Sequence, residues 1–97
     1  MKLRFTPRAA QDIAAIADYI HARSPGAAQH VRAAILHSLQ TLVLFPQVGR
    51  AQAVEGVRKL VTRKYPYLVY YTIDEAAEEI VILTIQHPAR EREHEDA

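Results

Sequence analysis

Apolar side chains recur every third or fourth position through the first half of the chain, then give way to β-branched and aromatic runs in the second. The first pattern predicts helices and the second predicts strands. Residues 2–5 alternate as a short strand, and Thr6-Pro7 then supplies an N-cap followed by proline at the first helical position. Beyond it Ala9, Ile13, Ile16, Ala17 and Ile20 form one stripe, with Arg8, Asp12 and Asp18 elsewhere on the cylinder, to an expected stop near Ala22. Ser24-Pro25 repeats the start signal almost at once. Ala28, Val31, Ile35, Leu39 and Leu42 carry a second stripe for about five turns, which Phe45-Pro46 closes.

The stretch from Phe45 to Gly56, with Gly49 inside it, reads as a loop that can contain a turn. After it the pattern predicts a strand near 57–63, a break at Tyr65-Pro66, a strand at 67–73, a turn over Asp74 to Glu78 and a strand at 79–86. Connections this short imply an antiparallel meander. The last run, Ile80-Val81-Ile82-Leu83-Thr84-Ile85, is apolar on both parities, so it should be covered on both faces and lie inside the sheet. The order is β-α-α-β-β-β. This is an α+β chain with a helical hairpin on a mostly antiparallel four-stranded sheet, the place of the first strand being left open.

Ninety-seven residues allow one domain with a modest core. Residues 1–90 are read as that domain, and the charged residues 91–97 as a frayed tail. With no cysteine, disulfides and thiolate metal sites are excluded. No apolar segment follows the N-terminal charges and nowhere do about eighteen uncharged apolar residues run together, so a cytoplasmic protein without membrane association is expected. The formal net charge of +1 hides an asymmetry. Residues 1–64 carry ten Lys/Arg against Asp12, Asp18 and Glu55, and residues 65–97 carry two against eight, so the halves stand near +7 and −6. A basic half of this kind can steer an anionic ligand, provided the split survives folding.

The candidate chemistry lies in two segments, Gly56 to Tyr71 and Gln86-His87-Pro88-Ala89-Arg90, where cations and aromatic rings are mixed. That mixture suits phosphate and flat groups, and so a macromolecular target. His87 brings a proton-transfer group, and Tyr67 or Tyr70 could stack on a base. Plainer readings stand beside these. Lys59 and Lys64 also fit a solvated strand face, His87 a strand-end cap, and Tyr65 and Tyr67 a brace for the Pro66 turn. Tyr70 and Tyr71 must point to opposite faces. His30 and His37 share a helix face but stand about 10 Å apart along its axis, too far for two ligands of one zinc ion. The three glycines make no phosphate loop. No metal, cofactor or small-molecule substrate is expected.

The element order together with Ala9-x-x-Asp12-Ile13-x-x-Ile16-x-x-Tyr19-Ile20, Leu42-x-x-Phe45-Pro46-x-x-Gly49-Arg50, Gly56-Val57-Arg58, Tyr65-Pro66-Tyr67-Leu68-Val69-Tyr70-Tyr71 and His87-x-x-Arg90 resembles the RelE/ParE superfamily of bacterial toxins. The match runs from about residue 3 to residue 90. It implies the toxin of a type II toxin-antitoxin or plasmid stabilisation system, silenced by a cognate antitoxin from an adjacent gene. ParE-like members inhibit DNA gyrase by binding it, whereas RelE-like members are ribosome-dependent mRNA endonucleases. Endonuclease members usually carry a basic residue just before the Leu-Val-Tyr of the penultimate strand, and here that position is Tyr67. The ParE-like branch is therefore expected, with a gyrase-binding surface drawn from Arg58, Lys59, Arg63, Tyr67, Tyr70, His87 and Arg90. The alternative is a metal-independent endonuclease using Arg63, His87 and Arg90 on ribosome-bound mRNA, and a third reading is a toxin fold that has lost toxicity.

Overall fold

Thr6 ties the start of the chain to its last strand. Its hydroxyl accepts the Ala9 amide at 3.1 Å as a helix N-cap and donates to the Leu83 carbonyl at 2.8 Å. The computed structural model describes residues 1–88; the candidate Arg90 and the expected tail 91–97 lie outside the described residues. The elements are β1 (Lys2–Phe5), α1 (Pro7–Arg23), α2 (Pro25–Leu44), β2 (Arg50–Ala51), β3 (Val57–Val61), β4 (Leu68–Asp74) and β5 (Glu79–Gln86). Ser24 alone separates the helices, and its amide donates to the Ile20 carbonyl at 2.7 Å.

Burial follows the stripes. Ala28, Val31, Ile35, Leu39 and Leu42, the positions expected to face inward, are the buried residues of α2. On α1 only Ala9 is fully buried, while Ile13, Ile16 and Ile20 are half-buried against the same core. The helices cover one face of the sheet, where Val69, Tyr71, Ile80, Ile82 and Ile85 complete the core.

The sheet has five strands in the order β1-β5-β4-β3-β2, one more than expected. The addition is β2, whose Arg50 and Ala51 pair with Lys59 and Arg58 inside the stretch read as a loop. Two residues carry no alternation to detect. This strand exists because the chain folds back through Gly56, at φ 82, and the Gln52 amide reaches the Val57 carbonyl at 2.9 Å. The first strand, left unplaced by the sequence, lies parallel to β5 and makes that strand interior.

The double parity of β5 has a further cause. Tyr70 pairs with Thr84 and Tyr71 with Ile82, so Leu83 is an extra residue in a β-bulge. The bulge resets the alternation. Ile80, Ile82 and Ile85 consequently stand opposite Ile73, Tyr71 and Val69 on the helix-covered face, with Val81 buried on the other. Beyond Phe5, β1 leaves the β5 edge, and α1 takes over its hydrogen bonds. The Asp12 carboxylate accepts the Thr84 hydroxyl at 2.6 Å and the Ile85 amide at 3.0 Å.

Candidate functional site

The turn between β3 and β4 organises the candidate residues. Thr62, only 3% exposed, is its anchor. The Thr62 hydroxyl donates to the Tyr65 carbonyl at 2.5 Å and accepts the Tyr67 amide at 2.9 Å, while the Thr62 amide donates to the Tyr67 carbonyl at 3.0 Å. Lys64 adopts a left-handed backbone at φ 69 to complete the reversal. This places Arg63 and Lys64 on one side of the turn and Tyr67 on the other.

On the Tyr67 side lies a cleft of about 380 Å³ between α1 and the end of β5, lined by Asp12, Ala15, Ile16, Tyr19, Tyr67, Ile85, Gln86 and His87. Three of these eight residues, Tyr19, Tyr67 and His87, bring rings to its wall. The His87 ring meets Tyr67 edge-on, with centroids 5.8 Å apart and planes at 80°. Arg23 rests its guanidinium 3.8 Å from the centre of the Tyr19 ring. Burial raises the Tyr67 phenol above its ordinary pKa, and the nearby Tyr19 adds to the rise. Tyr67 therefore enters as a neutral hydrogen-bonding group beside flat surfaces.

On the other side a cleft of about 350 Å³ separates the turn from α2, lined by His30, Ala33, Ala34, His37, Ser38, Arg63 and Lys64. The Arg63 amide points to the Ser38 hydroxyl at 3.4 Å. Both clefts flank one end of the sheet. The acidic turn Asp74 to Glu79 sits at the opposite end of the seven-residue β4, about 20 Å away, where Arg4 pairs with Glu79 at 2.9 Å, so the two halves of the sequence partly neutralise each other in space.

Three further sequence candidates lie elsewhere. Arg58 stands opposite Tyr71 on the helix-covered face, and its Nη1 donates to the carbonyls of Gln47 at 3.2 Å and Gly49 at 2.8 Å. Its charge is used to clamp the loop before β2. Lys59 and Tyr70 face each other across β3 and β4 on the outer face of the sheet. The structure thus brings Tyr67 to His87 and Arg63 to Lys64, and it sets Arg58, Lys59 and Tyr70 apart from both pairs. Tyr19, Asp12 and His30 line the two clefts although none was singled out for the site by the sequence. The signal for Tyr19 was present, since it lies three residues beyond Ile16 in the α1 motif. Among the described residues no group of three or more His, Cys, Asp or Glu side chains is placed to hold a metal ion.

The model of the ParE toxin of type II toxin-antitoxin systems, parDE, matches residues 3–92. The chain belongs to this ParE toxin family. A solved structure of the chromosomal ParDE system from P. aeruginosa is similar at 30% identity, with a TM-score of 0.78 over 90% of this chain and 95% of that one. A RelBE toxin-antitoxin complex from Mycobacterium tuberculosis follows at 27% identity and TM-score 0.62, covering 89% and 95% of the two chains. The intact E. coli RelBE complex, at 16% identity and TM-score 0.65 over 88% and 93%, shares the fold. Curated protein sequences give no match.

A third surface of this ParE-family chain lies at the acidic end. Met1, Leu44, Phe45, Pro46, Val48 and Ile73, with Gln47 and Glu75, line an apolar hollow of about 550 Å³. Leu44 is 74% exposed and Phe45 61%. Side chains of this size grouped in water mark a surface that another chain can cover.

Proposed function

We propose that this chain inhibits cell growth by binding DNA gyrase, without bond-making chemistry of its own, and that a cognate antitoxin keeps it silent. The observation that carries the reading is Tyr67. Where an endonuclease would place a cation for the scissile phosphate, this chain has a phenol walled by Tyr19 and His87, and a neutral phenol offers one donor where a guanidinium offers a charged fork. The endonuclease reading also needs His87 and Arg63 at one phosphate. These two residues line different clefts, which supports binding over cleavage.

The deciding experiment is gyrase supercoiling with purified protein. Inhibition is expected, and Tyr67→Ala should weaken it while leaving the fold intact. If supercoiling persists at excess protein and mRNA is cut in expressing cells, the assignment reverses. The antitoxin proposal has its own support in the apolar hollow with exposed Leu44 and Phe45, and in the antitoxin-containing complexes that this fold resembles. The product of the adjacent reading frame should raise the unfolding free energy by about 2.7 kcal/mol when present at one hundred times its Kd.

A further inference from the structure

From the cleft between α2 and the 62–67 turn, we infer that this protein carries a phosphodiester-binding groove, separate from the aromatic cleft, that takes a nucleic-acid backbone without reading its sequence. The charge argument is direct. Arg63 and Lys64 line one wall, His30, His37 and Ser38 line the other, and none of the lining residues is acidic. The whole of α2 contains no Asp or Glu, and neither does the turn, so no carboxylate of either element competes for these cations. The Ser38 oxygen receives the Arg63 amide, which leaves its hydroxyl proton for an acceptor in the groove.

Shape selects among anions. Ala33 and Ala34 line the groove between the two histidines, and their small side chains let phosphate oxygens approach the helix. His30 and His37 are seven residues apart, about 10 Å along the helix, which is close to the axial rise of three nucleotides. A linear array of charges therefore fits better than one carboxylate. Arg63 presents the planar fork that matches phosphate oxygens, and Lys64 adds a point charge beside it. The Thr62 hydrogen bonds fix the backbone of the turn that carries both.

The test uses the full chain with a fluorescent duplex DNA and no gyrase, so its outcome is separable from the supercoiling result. Affinity should fall with salt, and Arg63→Ala with Lys64→Ala should reduce the slope of log K against log salt by about 2, because each lost phosphate contact removes about 0.9. Removing equal charge elsewhere, as Lys2→Ala with Arg8→Ala, should change the slope by much less. In an NMR titration with inorganic phosphate, the imidazole resonances of His30 and His37 should move while those of His21 and His87, outside the groove, stay. A slope indifferent to Arg63 and Lys64, or still imidazoles at His30 and His37, would overturn the inference. Equal affinity for an oligo-glutamate of matched charge would overturn it too, by reassigning the groove to an acidic protein segment.

Discussion

Tyr71 and Gly49 are fitted to each other across twenty-two residues of chain: the Tyr71 hydroxyl accepts the Gly49 amide at 2.9 Å and donates to the Pro46 carbonyl at 2.7 Å. A Cβ on Gly49 would stand 2.5 Å from that oxygen. Gly49→Ala should therefore destabilise the fold by about 2–4 kcal/mol, through overpacking plus loss of the paired hydrogen bonds. Tyr71→Phe keeps the ring and loses only the bonds, at about 1–3 kcal/mol. Urea unfolding measures both, and a Gly49→Ala variant as stable as the parent would show that the loop has other room to move.

Arg58 is predicted to act on stability first. Its guanidinium bonds to Gln47 and Gly49 belong to the same loop, so Arg58→Lys, which keeps the charge and loses the fork, should cost about 1–2 kcal/mol. Protease cleavage within residues 45–50 should quicken in parallel. Unchanged stability with lost growth inhibition would instead place Arg58 at the target.

Asp12 should behave as a strand-edge cap. Asp12→Ala strands the Ile85 amide and the Thr84 hydroxyl, a loss of about 1–3 kcal/mol, and the Ile85 amide should exchange with solvent markedly faster. Thr84→Val removes one of the two bonds and should cost less. Exchange at Ile85 that is insensitive to Asp12 would refute the cap.

Alkaline pH should weaken the fold. Burial lifts Tyr71 above the ordinary phenol value of 10.0, partly offset by the Gly49 amide bond and the Arg58 charge, and Tyr67 is raised by burial and by Tyr19. The folded chain then keeps protons that the unfolded chain has lost. The stabilisation is full below pH about 10 and is lost as pH rises through the raised folded values, at up to about 1.4 kcal/mol per pH unit for each phenol. Urea midpoints and phenolate absorbance should both report this, and Tyr71→Phe should flatten the decline.

The inward stripe of α2 was legible because Ala28, Val31, Ile35, Leu39 and Leu42 keep helical spacing and are the buried residues of that helix. On α1 the same spacing leaves Ile13, Ile16 and Ile20 only half-buried, since that helix also borders the Tyr67 cleft and serves the β5 edge through Asp12. A carboxylate on a helix ordinarily reads as solvated, and nothing local in the sequence tells it from a cap for a strand seventy-three residues away. The structural use of Arg58 was hidden for a related reason: in sequence a cation beside aromatics looks the same whether or not it also bonds two backbone carbonyls. The sequence carried Tyr67 and His87 as separate motifs, and only the ends of β4 and β5, brought side by side, made them neighbours.

Every hydrogen bond described for the β3–β4 turn uses backbone groups or the hydroxyls of Thr62 and Ser38. None of these bonds uses the Arg63 or Lys64 side chain, although the Lys64 ammonium lies 5.6 Å from the centre of the Tyr65 ring. Position 63 can therefore vary without redesigning the mount, whereas position 64 must also accept a left-handed backbone, so the frame leaves one tip open to change and holds the other to residues that tolerate φ 69.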